Sequence, residues 1–179
     1  NGVLYSDDNN IFLTGPIKSG KTYLGNLWLK KYDAIPYKDN FDSLINNRCN
    51  IFIDNIELVN DEEKLFHILN HCKLNNLHLL VTSEFGINDV RFNLKDLSSR
   101  IKVFSFYEIY QPDDDMLLNI LTKLFIEKQF IINSHEIFNF IIKRANRSYA
   151  DMLKIVTILD KLSLSKKRQL TIPLIKEIL

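Results

Sequence analysis

The chain has 179 residues, of which 46% are apolar and 25% charged, with a formal net charge of +1. These values exclude a disordered chain, and a charge this close to neutral excludes a nucleic-acid binder that works by bulk positive charge. No run approaches the ~20 apolar residues of a membrane span, no apolar leader stands at the start, and the two cysteines, Cys49 and Cys72, read as buried thiols of a reducing compartment. The expectation is a cytoplasmic protein without a membrane partner.

Apolar runs at 11–14, 34–37, 51–54, 77–82 and 103–107 predict strands. Those at 51 and 77 are nearly continuous, as in strands buried on both faces. Helical patterns fall between them, at 22–31, 61–73 and 94–101. The second opens with Asp61, Glu62 and Glu63, which suit the positive end of a helix dipole. This alternation predicts an α/β fold on a parallel sheet. After Tyr110-Gln111-Pro112 only helical periodicity remains. Asp113–Asp115 start a helix that runs to about 129, Ser134 caps one to about 145, and Ser148 caps one to about 164; a last short helix begins near Pro173. The chain therefore divides into an α/β domain over 1–110 and an all-helical domain over 111–179.

Gly15-Pro16-Ile17-Lys18-Ser19-Gly20-Lys21-Thr22 matches G-x-x-x-x-G-K-[ST] in full, between a predicted strand and a predicted helix. The glycines let the backbone wrap phosphate oxygens, and the loop N–H groups and the helix N-terminus point at the anion. Lys21 supplies a cation to the β- and γ-phosphates and the Thr22 hydroxyl reaches Mg²⁺. The candidate contacts for ADP or ATP are Gly15, Pro16, Lys18, Ser19, Gly20, Lys21, Thr22 and Tyr23. Asp54, ending the strand at 51–54, is the candidate that holds the Mg²⁺ hydration shell beside Thr22. The next position, where an ATPase of this type places a second acid, is Asn55, an amide that cannot act as a base. Glu57 could partly substitute, and weak or absent hydrolysis is expected. Thr82, at the end of the fourth strand, is a candidate γ-phosphate or water contact.

The order of these pieces resembles an AAA+ module: a P-loop on a five-stranded parallel sheet, followed by a small helical lid. More narrowly, the chain resembles the Hda-like, DnaA-related AAA+ family of bacteria. Ile53-Asp54-Asn55-Ile56-Glu57, Asp96-Leu97-Ser98-Ser99-Arg100, Leu159-Asp160-Lys161 and the block Arg168-Gln169-Leu170-Thr171-Ile172-Pro173-Leu174-Ile175-Lys176-Glu177-Ile178-Leu179 carry the resemblance. It implies a protein that binds ADP or ATP, associates with the DNA-loaded sliding clamp and promotes ATP hydrolysis on DnaA, which regulates replication initiation. It also implies that Arg100, the arginine of D-L-x-S-R, acts in trans as an arginine finger.

The chain departs from the family pattern at three places. The lid arginine that AAA+ proteins direct at the nucleotide is Ala150 here, and Arg147 is the nearest replacement as a phosphate contact. No clamp-binding peptide is visible ahead of Gly15. The chain stops where DnaA continues into its helix-turn-helix domain, so no sequence-specific DNA binding of its own is expected. The alternatives are an adaptor or loader of the same fold that binds without stimulating hydrolysis, and an ordinary ATP-hydrolysing motor, which Asn55 and Ala150 count against. Assembly into a homo-oligomer stays open. His67, His71 and Cys72 have a spacing that can hold zinc, but no second ligand pair lies nearby in sequence. The nine Lys/Arg against three Asp/Glu between 143 and 177 read as a solvated helix surface.

Overall fold

The computed structural model describes residues 2–130, 136–166 and 169–179. The chain forms two compact units, 1–110 and 111–179.

The first unit is built on a parallel sheet in the order β2-β3-β4-β1-β5. Its strands are β1 (Asn10–Thr14), β2 (Ile35–Pro36), β3 (Ile51–Ile53), β4 (Leu79–Ser83) and β5 (Ser105–Glu108). In the ladders, Phe12 lies opposite Val81 and Phe106, and Ile53 opposite Val81. The side-chain period of two then sorts the sheet's apolar residues to its two faces. Phe12, Ile51, Ile53, Leu79 and Val81 pack with α2 (Phe41–Asn47), α3 (Glu62–Leu74) and α4 (Lys95–Ile101). Ile11, Leu13, Phe52 and Leu80 pack instead with α1 (Lys21–Tyr32) and the 3₁₀ turn at Gly2–Tyr5. Trp28 is the largest fully buried side chain on that face and stacks on Tyr32 with ring centroids 4.8 Å apart.

The observed strands differ from the sequence expectation at their edges. The second strand shrinks to two residues, the fourth shifts from 77–82 to Leu79–Ser83, and the fifth begins only at Ser105. Val103 is 82% exposed, because the turn that closes α4 carries it outward; the Phe104 N–H donates to the Ile101 carbonyl in that turn. The expectation did not include α2. This short helix has no side-chain cap at Asn40 and is held by burial of Leu44. Cys49 is half-buried rather than buried, whereas Cys72 is fully enclosed.

The second unit packs α5 (Asp114–Glu127), α6 (Glu136–Ile142), α7 (Tyr149–Lys166) and α8 (Ile172–Ile175) around Leu121, Phe125, Phe138, Ile141 and Val156. Phe125 meets Phe130 and Phe138 edge-on, a favoured aromatic geometry. Asp113 caps α5 by accepting from the Met116 N–H at 2.8 Å. At α7 the Ser148 hydroxyl caps the helix by accepting from the Asp151 N–H, and it donates to the Asp151 carboxylate. The expected cap at Ser134 lies outside the described residues. No helix among the described residues is long and apolar enough to cross a membrane.

Candidate nucleotide-binding site

The parallel register brings the C-terminal ends of β1, β3 and β4 together at one edge of the sheet, where open α/β sheets bind their ligands. Residues 15–22 leave β1 there and turn into α1. Lys18 takes φ +63° and Gly20 φ +97°, so the loop winds through left-handed backbone immediately before the helix. At Gly20 that conformation favours glycine. Gly15 is required for a different reason: a Cβ there would stand 2.7 Å from the Ile109 carbonyl oxygen and 2.9 Å from Ser19 Oγ.

Lys21 opens α1 and is only 6% exposed. Its ammonium donates to the Gly15 carbonyl at 2.6 Å and to the Pro16 carbonyl at 3.0 Å, folding over the loop. Ser19 Oγ is buried with no hydrogen-bond partner among the described residues. A buried hydroxyl without a partner, an enclosed cation and the N-terminus of a twelve-residue helix all fit an anionic phosphate group. Tyr23 is 70% exposed, in the first turn of the helix.

A line of oxygens crosses from this loop to the neighbouring strands. The Thr22 hydroxyl donates to Asp54 Oδ2 at 2.8 Å, and the Thr82 hydroxyl donates to Asp54 Oδ1 at 2.5 Å. Thr82 Oγ1 also accepts from the Asn55 N–H at 2.8 Å. Thr22, Asp54 and Thr82, separated by 32 and 28 residues in sequence, thus form one connected group. Hydroxyl and carboxylate oxygens of this kind suit a hard divalent cation such as Mg²⁺, held partly through water.

Asn55 occupies left-handed backbone at φ +52° and caps the 3₁₀ turn Ile56–Leu58. Glu57, the expected partial substitute for a second acid, is tied to the next loop: its Oε1 accepts from the Glu84 N–H at 2.8 Å. Its other oxygen is buried without a hydrogen-bond partner among the described residues. A cavity of about 590 Å³ opens beside it, bounded by Ile56, Phe85, Asp89 and Arg91. The Thr14 hydroxyl donates to the Phe85 carbonyl at 2.8 Å, so the loop after β4 is fastened to β1 as well. Nothing in the sequence signalled Glu84 or Phe85, because their contacts are made through the backbone.

Arg100 lies in the last turn of α4, with Leu97 and Ile101 buried on the helix's inner face. Its guanidinium sits over the Phe66 ring, 4.8 Å from the centroid. The sequence reading missed Phe66, since the two residues are 34 positions apart and belong to different helices. Arg147 belongs to the helical unit, where its Nε donates to the Pro112 carbonyl at 3.0 Å and its Nη1 pairs with Asp114 at 2.6 Å. Any phosphate contact by Arg147 must compete with that carboxylate. His67 is exposed, and no group of three potential metal ligands occurs among the described residues.

Residues 114–179 match the family model for the Hda lid domain. The structure is similar to AMPPCP-bound DnaA from Aquifex aeolicus, with a TM-score of 0.74 at 17% identity, covering 88% of this chain and 57% of that one. Residues 114–179 thus carry an Hda-type lid domain, and the chain as a whole has the DnaA-type AAA+ fold. Domain III of Thermotoga maritima DnaA has the same fold, with a TM-score of 0.75 at 15% identity over 97% of this chain and 84% of that one. In sequence, the chain is 30% identical over 134 residues to an uncharacterized protein of Haemophilus influenzae. That match covers 72% of this chain and 58% of the Haemophilus protein. The chain thus spans less than two thirds of the length of that relative and of Aquifex DnaA.

Proposed function

We propose that this protein is a nucleotide-binding regulator of replication initiation that promotes ATP hydrolysis on DnaA in trans. The observation that carries this reading is Arg100. It is half-buried at the end of α4, and among the described residues no carboxylate pairs with it. A guanidinium held without a counter-ion is suited to charge developing on a partner's γ-phosphate.

The chain's own nucleotide would be ADP or ATP. Gly15, Pro16, Lys18, Ser19, Gly20 and Lys21 would hold its phosphates, with Thr22 and Asp54 holding Mg²⁺ through water and Thr82 aligning Asp54. A bound Mg²⁺ would supply positive charge against the phosphate oxygens. Asn55 leaves this apparatus without a second acid, so the protein binds nucleotide and turns it over slowly. Support for DnaA as the partner comes from the lid-family match and the shared AAA+ fold. The DNA-loaded sliding clamp and a cytoplasmic location belong to the same reading.

The test is decay of DnaA-bound ATP with clamp, DNA and this protein. Arg100→Ala is expected to lower the stimulated rate about 10³-fold, as loss of an arginine finger does. Arg100→Lys should rescue poorly, because a point charge lacks the planar fork. Full stimulation by Arg100→Ala would overturn the trans mechanism in favour of an adaptor that binds without stimulating.

A further inference from the structure

We propose that Phe66 is a positioning residue for Arg100: its ring holds the guanidinium in the orientation that meets a partner's nucleotide. The inference rests on the trans role given to Arg100 above.

Two residues one turn apart on α3 contact the two ends of the segment that carries Arg100. Glu62 accepts from the Asn93 N–H at 3.0 Å and from the Leu94 N–H at 2.7 Å, which fixes the entrance to α4. Leu94, the residue before the helix, has no side-chain cap of its own, and Glu62 satisfies its backbone N–H from the neighbouring helix. Phe66, four residues after Glu62, lies under the guanidinium at the other end of α4. The ring is itself held in place. It packs against the core that contains Leu97 and Ile101, and it meets the His67 ring edge-on at 6.2 Å.

The geometry suits presentation rather than burial of the charge. The Phe66 ring attracts the guanidinium's delocalised charge and offers no hydrogen-bond acceptor oxygen, so it holds the group without a carboxylate. An arginine held by a ring rather than by a carboxylate has no anion to displace before a bidentate contact with phosphate oxygens. A long side chain free in solvent samples many rotamers, and a fixed platform reduces that loss when the transition state forms.

The experiment compares Phe66→Leu, Phe66→Tyr and Arg100→Ala in the assay of DnaA-bound ATP decay. The stimulated rate is titrated against the concentration of this protein, and each variant's melting curve and ADP affinity are measured on the same sample. Phe66→Leu keeps an apolar side chain but removes the π-face, and Phe66→Tyr keeps the face. The expected result is a three- to tenfold lower saturating rate for Phe66→Leu, near-wild-type behaviour for Phe66→Tyr, and an unchanged half-saturating concentration for both. An unchanged saturating rate in folded Phe66→Leu, or a change only in the half-saturating concentration, overturns the positioning role. If Arg100→Ala stimulates fully, the underlying trans reading fails, and that result is separate from a failure confined to Phe66.

Discussion

The Thr22 hydroxyl and the Asp54 carboxylate, which begin two different crossings of the sheet edge, are hydrogen-bonded at 2.8 Å. The Thr82 hydroxyl holds the other carboxylate oxygen. A metal that recruits Thr22 must therefore draw on an oxygen set that is already aligned. Asp54→Asn is expected to remove the Mg²⁺-dependent part of ATP affinity and to leave the metal-free affinity within about twofold. Calorimetry with and without Mg²⁺ reads both quantities, and an undiminished Mg²⁺ effect would remove Asp54 from the site.

Lys21 is enclosed by the loop it serves, bonded to two of the loop's carbonyls. Lys21→Ala removes the fixed cation and also leaves those carbonyls without their donor. ADP and ATP binding is expected to fall below detection, at least a hundredfold, in protein that still melts cooperatively. Retained ADP affinity in a folded variant would contradict the phosphate assignment.

Asn55 holds left-handed backbone, a conformation that Asp also tolerates. Asn55→Asp can thus add a carboxylate without straining the turn. Wild-type hydrolysis is expected to be far below the ~10 s⁻¹ median of enzymes, and Asn55→Asp should raise it several-fold. Single-turnover phosphate release checks this, and brisk wild-type turnover would count against the reading of Asn55.

Gly25, inside α1, faces the Phe52 ring so closely that a methyl group would overlap it. Gly25→Ala gains helix propensity but must displace a core ring, and overpacking of this kind costs about 1–3 kcal/mol. A lower unfolding free energy in a urea titration is expected. A more stable variant would mean that the helix and sheet separate easily at this point.

Burial pushes the Cys72 thiol up to about 12, and burial also raises Cys49. A folded-state value above the unfolded one means that the native protein binds more protons at high pH. The stability from Cys72 is therefore present below the unfolded value near 9 and is lost as pH rises from there towards 12. Cys72→Ala should flatten that alkaline decline, which urea midpoints at pH 8, 9 and 10 measure. A thiol reagent at pH 8 should label half-buried Cys49 before Cys72.

Features made by contiguous residues were legible in the sequence. The loop at 15–22, the acidic end of the third strand, the Asp113 and Ser148 caps and the division into α/β and helical halves are each written within a few positions. Local backbone rules and a period of two or 3.6 suffice to read them. The tertiary structure alone decided which distant residues meet. The pairing of β4 with both β1 and β3 puts Thr82 against Asp54, and the loop after β4 captures Glu57 through a backbone N–H that carries no sequence label. It also decided the short elements, since α2 and the two residues of β2 are held by burial and ladder bonds rather than by propensity. Arg100 shows both sides of this division. Its place at the end of the helix expected over 94–101 was legible, but its partner Phe66 comes from the packing of α3 against α4, which one-dimensional periodicity does not encode.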